Sequence, residues 1–178
     1  KNSTNELPMI DLQEVLGFVQ KIHESGYETE PLPRVAKSTG YAHATSTPFY
    51  RRMLAGRLFK LLSPQGAELT KLALDSFKPD TEEAKSKALG DAVAGIPGYA
   101  ELIEKYDGKR LNAEILSNSI ARKFELGDAC AAICAKTFIQ SLKFAGFLDG
   151  DNTLIGPGRG KKTFTSALAS SFPDQALP

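Results

Sequence analysis

The chain has 178 residues, of which 42% are hydrophobic, enough to bury one sizeable core or two small ones. Its 22 basic and 21 acidic residues nearly balance, so the molecule as a whole lacks the strong positive charge of many nucleic-acid-binding domains, and an anionic partner must meet a local patch. No apolar run approaches the roughly 20 residues that cross a bilayer, and no secretory signal pattern opens the chain, which predicts no membrane segment and a cytoplasmic location.

The first predicted helix follows a polar leader, residues 1–8. Apolar residues recur at helical spacing over Leu12–Ile22, and Asp11 with Glu14 has the form of a capping box. We expect this helix to end near Gly26.

A short and then a longer helix are predicted next. The stretch 32–40, LPRVAKSTG, predicts a helix of one to two turns. In TSTPFYRRMLAGRLFKLL, Pro48 suits the first position of a helix, and Gly56 permits a turn into a β-like run over residues 57–62. That run and Ala67–Leu69 would form a small hairpin, or wing.

The middle of the chain predicts amphipathic helices separated by proline and glycine, typical of a segment that packs modules together.

The order of elements predicted for the first part of the chain is then repeated in a second copy. Asn112 and Asp128 can cap two helices, residues 149–152 (DGDN) form a strong turn signal, and residues 153–155 make the returning arm of a hairpin. The apolar positions of the two copies correspond, with Phe138, Leu142, Phe147 and Leu148 at the same offset from Phe49, Met53, Leu58 and Phe59.

This order of elements resembles the winged-helix fold. More narrowly, LPRVAKSTGY, FYRRMLAGRLFKLLSPQGAELT and SLKFAGFLDGDNT resemble a family of bacterial and archaeal domains of unknown function made of two such modules. The first copy departs from the family pattern, because residues 57–60 read Arg-Leu-Phe-Lys where the second copy has Gly-Phe-Leu-Asp. The resemblance implies a mainly α-helical protein with small β-hairpins and two winged helix-turn-helix modules. The predicted boundaries are 7–70 for the first module, 71–108 for a helical connection, 109–155 for the second module and 156–178 for a flexible tail.

Winged-helix proteins that bind duplex DNA insert their third helix into the major groove. By this analogy the helix beginning at Pro48 would read double-stranded DNA, and its N-terminus would favour a phosphate. We therefore predict a DNA-binding protein, a transcriptional regulator or DNA-recognition subunit, that uses no cofactor or metal. The predicted contact residues are Lys37, Ser46, Thr47, Tyr50, Arg51, Arg52, Arg57 and Lys60.

Other interpretations remain open. The arginines can be solvated or paired with carboxylates, at about 0–1 kcal/mol for each exposed pair. The rival function is an adaptor that binds protein without DNA contact, and the alanine-rich helix of the second module suits a homodimer or protein interface as well as internal packing. DNA binding requires the predicted cations to share one surface, whereas an adaptor predicts an exposed apolar patch around Leu54 or the Ala129–Ala135 face.

No catalytic or metal motif is apparent, and we predict that the protein is not an enzyme. His23 and His43 occur in separate segments, and Cys130 and Cys134, one helical turn apart, are predicted to be buried core thiols. The segment after Ile155 fails the P-loop pattern, since Lys162 stands where a hydroxyl belongs. The alternative to a solvated tail is a basic arm, carrying Arg159, Lys161 and Lys162, that lies in a minor groove.

Overall fold

The computed structural model describes residues 7–156. Residues 1–6 of the predicted leader and all of the predicted tail except Gly156 lie outside this range. Between residues 7 and 156, no helix is both long and apolar enough to cross a membrane. The helices are α1 (Leu12–Ser25), α2 (Leu32–Ser38), α3 (Thr47–Leu58), α4 (Lys71–Phe77), α5 (Glu82–Ala94), α6 (Pro97–Tyr106), α7 (Ala113–Phe124) and α8 (Asp128–Ala145).

Helix α1 begins and ends where the sequence predicts. The Asp11 carboxylate accepts a hydrogen bond from the backbone N–H of Glu14 at 3.0 Å, and Gly26, at φ 72°, donates to the carbonyl of His23. The apolar stripe of α1, from Leu12 to Ile22, is buried. Because α1 contacts α2, α3, α4 and α8, it occupies the centre of the molecule.

Helices α7 and α8 make the most extensive helix–helix contact among the described elements. As predicted, Asn112 caps α7, its side-chain oxygen accepting from the backbone N–H groups of Glu114 and Ile115. The cap of α8 differs, because Gly127 holds the cap position and Asp128 is the first helical residue. An acidic residue there still complements the helix dipole.

The predicted first wing is wrong. Helix α3 does not end at Gly56 but continues to Leu58, and the run after it turns back over the helix, with the backbone N–H groups of Leu61 and Leu62 both donating to the carbonyl of Gly56. A single bridge joins Leu62 to Leu69. The run is apolar because Phe59, Leu61 and Leu62 are buried in the core, and a short apolar run cannot by its pattern distinguish a strand from other buried segments.

Of the second predicted wing, the structure has the turn but not the two strands. The Asp149 carboxylate accepts from the backbone N–H groups of Asp151 and Thr153, and Asn152 takes φ 59°, so the turn signal is confirmed. The flanking arms form only isolated bridges, Leu148 with Leu154 and Arg110 with Thr153. The fold class predicted from the sequence is therefore corrected: the described residues are helical, without a sheet or the β-hairpin wings of a winged helix.

One cluster of buried side chains connects the two predicted modules and the predicted helical connection between them. Tyr99 of α6 is one of its largest fully buried side chains, with its ring centroid 6.1 Å from that of Phe59 and 4.8 Å from that of Phe138, both in edge-to-face geometry. A buried hydrogen bond also ties α1 to α8, since the N–H of Leu12 donates to the hydroxyl of Ser141 on α8. The boundaries between the modules stay predictions.

Candidate functional site

Helix α3 presents apolar residues on two opposite faces. Phe49 and Met53 face the core and are at most 2% exposed, as the sequence predicts. On the other face, Leu54 and Leu58 lie one turn apart and remain only partly buried. A surface helix usually has one apolar stripe, which faces the core, and polar residues on its other sides. The outer face of α3 is therefore the unusual feature of this helix.

Arg52, one of the predicted DNA-contacting residues, is held against the body of the protein. Its guanidinium forms an ion pair with Glu14 of α1, donates to the carbonyl of Pro48 at 3.2 Å and lies 5.8 Å from the centre of the Tyr41 ring. The side chain is only 22% exposed. Arg52 thus links α1 to α3, and a DNA contact would compete with these interactions.

Arg57 and Lys60 are also placed by contacts within the chain. The Arg57 guanidinium donates to the carbonyl of Gly66 at 3.0 Å, which holds the loop after α3. Lys60 is exposed, adopts the left-handed conformation at φ 58° and accepts, through its carbonyl, a hydrogen bond from the Thr70 hydroxyl. Its side chain extends towards Gly95 at the end of α5.

The three arginines of α3 point in different directions. A helix advances by roughly 100° per residue, which places Arg51, Arg52 and Arg57 roughly 100–140° from one another around the axis. Lys37, exposed on α2, lines a separate depression with Tyr27 and Arg34. The predicted cations are thus spread around α3 and over neighbouring elements, where a DNA-binding surface would need them side by side.

The N-terminus of α3 has fewer groups available to bind a phosphate than its sequence suggests. Ser46 holds the cap position without a side-chain cap hydrogen bond, and its hydroxyl oxygen is buried, with no hydrogen-bond partner among the described residues. Thr47 is exposed on the first turn. Only Thr47, Tyr50 and Arg51, of the predicted contact residues, line one common surface.

That surface is a groove between α3 and the segment that precedes α1, which we call the α3 groove. Its volume is about 270 Å³. Leu54 lies in it, and Tyr50, 56% exposed, and Arg51 stand on the same face of the helix. The groove is lined by Leu7, Pro8 and Met9 of the segment and by Thr47, Tyr50, Arg51, Leu54, Ala55 and Leu58 of α3.

The alanine-rich part of α8 is divided between core and surface. Cys134 is 2% exposed, and Ala131 and Ala135 are buried beside it, whereas Ile133 is 44% exposed. Burial, and secondarily the neighbouring Cys130, raises the pKa of the Cys134 thiol from 9.0 to about 12. The prediction of a buried core thiol is confirmed for Cys134, while Cys130 is half-buried. Within residues 7–156, no three histidine, cysteine or acidic side chains come together as metal ligands.

Sequence reasoning named Leu54 as the possible centre of an apolar patch but missed Leu7, Pro8 and Met9 on the other side of the groove. The spacing of Leu54 and Leu58, opposite Phe49 and Met53, was the available signal for half of the site. The other half comes from a segment some forty residues away, which no local pattern places beside α3. Comparison of the chain with protein-family models, curated proteins and solved structures finds no match.

Proposed function

We propose that the protein is an interaction module that binds a partner protein through the α3 groove. The observation that carries the proposal is the second apolar face of α3, which Leu54 and Leu58 leave partly open to solvent beside Met9. Exposed apolar surface in a concave, partly polar setting is typical of interaction sites. The closed core behind it, formed by Phe49 and Met53, holds the helix in place for docking.

The size and charge of the groove indicate what occupies it. A volume of about 270 Å³ lies below the roughly 300–1,000 Å³ of small-molecule pockets, and it suits one or two side chains of a partner. Arg51 stands at the edge and forms no ion pair within residues 7–156. The occupant is therefore a partner segment with a large apolar anchor and a nearby carboxylate that pairs with Arg51.

The proposal is tested by selecting binders from a random displayed peptide library on the purified protein. The enriched peptides are expected to share a large apolar residue near an aspartate or glutamate, and their affinity should fall about tenfold or more in Leu54→Asp, since a hot-spot contact is worth over 1 kcal/mol. Arg51→Ala should weaken binding only of peptides that carry the acidic residue. Ile133→Asp on α8 is the matched control, an equally drastic change at an exposed apolar position outside the groove.

Circular dichroism is used to check whether Leu54→Asp keeps the helical fold. If the selected peptides share no apolar and acidic pattern, or if folded Leu54→Asp binds them as tightly as the parent does, the groove is not the docking site. Loss of binding in Ile133→Asp with retention in Leu54→Asp would move the interface to α8, for which the sequence left a homodimer or protein interface and internal packing equally open.

DNA binding is the second candidate. Its support is the exposure of Tyr50 and Arg51 on the first turns of α3 and of Lys37 on α2. The test is a salt series with a labelled random duplex, using Arg51→Ala with Lys37→Ala, because Arg52 already pairs with Glu14. Steep salt dependence that is lost in this double variant and kept in the uncharged Leu54→Ala would favour DNA, and the reverse pattern would exclude this mode of binding.

A further inference from the structure

A second surface depression, independent of the α3 groove, lies between α6 and α7. Its volume is about 610 Å³ and it is open to solvent. Helix α7 contributes residues at positions i, i+3, i+4 and i+7, which form one stripe along the helix, and α6 contributes its last turn. We call it the α6–α7 cleft. It is lined by Lys105, Tyr106, Ile115, Asn118, Ser119, Arg122 and Lys123.

The α6–α7 cleft concentrates positive charge in a nearly neutral molecule. The whole chain carries a net charge of +1, yet Lys105, Arg122 and Lys123 all line this one depression, and no carboxylate is among its lining residues. At the edge, Lys123 pairs with Glu101 of α6. Arg122 forms no ion pair with any residue in the described range. Its guanidinium is therefore available to an anionic ligand.

The groups in the cleft are arranged as donors for phosphate. The Lys105 ammonium donates to the Ser119 hydroxyl at 2.7 Å and lies 5.4 Å from the centre of the Tyr106 ring, which holds it over the cleft. Arginine binds phosphate through paired N–H groups, lysine acts as a point charge, and amide and hydroxyl groups supply neutral contacts to phosphate and sugar. Asn118 and Ser119 provide such neutral groups between the cations.

The shape of the cleft favours an extended polyanion. The stripe from Ile115 to Arg122 is about 10 Å long, since each residue adds about 1.5 Å, so that a single phosphate fills only part of it. Ile115, 62% exposed, and the half-buried Tyr106 add apolar and aromatic surface beside the cations. A charged groove flanked by such surfaces is typical of sites for single-stranded nucleic acid, whose bases are free to stack.

We propose that the α6–α7 cleft binds the phosphodiester backbone of single-stranded nucleic acid. Arg122 and Lys105 contact phosphates, Asn118 and Ser119 contact the backbone between them, and unpaired bases rest on Ile115 beside the Lys105–Tyr106 pair. The site does not depend on the α3 groove, which lies on other elements.

The experiment measures fluorescence anisotropy of labelled oligothymidine and oligouridine of about 12 nucleotides, titrated with the whole chain over a salt series. Each phosphate contact should contribute about 0.7 to the slope of log affinity against log salt concentration. Arg122→Gln and Lys105→Gln should each lower that slope by about 0.7, and Arg122→Lys should keep it. Lys136→Gln on α8 is the matched control, an exposed lysine outside the cleft, and should change nothing.

Competition with unlabelled single strand, with duplex and with inorganic phosphate identifies the class of ligand. Unlabelled single strand should displace the probe, while a duplex of the same sequence should do so less well. The proposal is overturned if the folded cleft variants keep the slope of the parent, if Lys136→Gln lowers it equally, or if no binding is seen at low salt. It is also overturned if inorganic phosphate at low millimolar concentration displaces the probe fully, which would assign the cleft to a single phosphate group.

Discussion

Gly56 and Leu62 lie so close that a side chain on the glycine has no room: a Cβ atom built on Gly56 would be 2.8 Å from Cδ1 and 3.1 Å from Cγ of Leu62. Leu62 is itself 2% exposed and cannot move freely. The glycine therefore serves close packing in the middle of a helix. It lets the segment after α3 fold back onto the helix, which is why no wing extends from this position.

The Gly56→Ala variant should be destabilised. Alanine is better than glycine in a helix by about 1 kcal/mol, but overpacking costs about 1–3 kcal/mol, so we expect a net loss of about 1 kcal/mol in the free energy of unfolding. Gly17→Ala on α1 is the control, because a Cβ there meets nothing within 4 Å, and it should stabilise the protein. Denaturant unfolding of both variants measures the difference, and equal stabilisation would contradict the packing argument.

The hydroxyl of Ser141 satisfies the first N–H of α1, and its loss should leave that group buried without a partner. The distance from the N–H of Leu12 to the Ser141 oxygen is 3.0 Å, and Ser141 is fully buried. We expect Ser141→Ala to cost about 1–3 kcal/mol. Ser76→Ala is the matched control, since that buried hydroxyl only donates to the carbonyl of Leu72 in its own helix. A similar loss of stability in both variants would show that the hydrogen bond between α1 and α8 adds nothing beyond the burial of a hydroxyl.

The phenol of Tyr99 is fully buried, and its oxygen has no hydrogen-bond partner among the described residues. The Ser141 hydroxyl, which accepts from the N–H of Leu12, lies near enough to influence the ionisation of this phenol. Removing the hydroxyl in Tyr99→Phe keeps the ring contacts with Phe59 and Phe138, and should leave the free energy of unfolding unchanged or raise it by about 1 kcal/mol. A clear loss of stability in denaturant unfolding would show that the hydroxyl has a partner.

The same residue predicts a pH effect. Burial raises the pKa of Tyr99 well above 10.0. Because the unfolded chain releases this proton at lower pH than the folded protein, the contribution of Tyr99 to stability is present below pH 10.0 and is lost as the pH rises beyond it. Tyr99→Phe should therefore lose less stability than the parent above pH 10.0 in alkaline unfolding. Parallel stability curves would contradict the raised pKa.

The two thiols should differ in reactivity. The pKa of Cys134 is raised to about 12, chiefly by burial, so the folded protein holds almost no Cys134 thiolate at mildly alkaline pH, and the half-buried Cys130 should be modified first. Between the ordinary value of 9.0 and about 12, the unfolded thiol ionises before the folded one, so stability falls with rising pH. Modification rates of Cys130→Ser and Cys134→Ser measure each thiol alone. Fast reaction of Cys134 in the folded Cys130→Ser variant would contradict its burial.

Arg52 should contribute to the stability of the contact between α1 and α3 and should not contribute to binding in the α3 groove. A double-mutant cycle with Glu14→Gln and Arg52→Gln should give a coupling energy of about 1 kcal/mol or less, because both side chains are partly exposed. Binding of the groove-selected peptides should be unchanged in Arg52→Gln. Loss of peptide binding in a folded Arg52→Gln variant would place this arginine in the docking surface.

The two predicted wings show that a local sequence pattern predicts a turn better than it predicts strand pairing. The turn at residues 149–152 follows from Asp149, whose carboxylate binds N–H groups two and four residues ahead, and such local contacts are encoded locally. Whether the arms beside a turn become strands depends on what they pair with. In the first predicted wing, Leu62 packs closely against Gly56 of α3. The arms there and in the second predicted wing form only isolated bridges and no extended strand pairing.

The sequence by itself determined the helices, because caps such as Asp11 and Asn112 and the apolar period of α1 act within a few residues. It also indicated that Phe49 and Met53 are core residues. Only the tertiary structure decided which arginines are engaged, since Arg52 meets Glu14 from another helix. Both sites likewise join residues from different elements, and contacts between distant parts of a chain depend on how the helices pack.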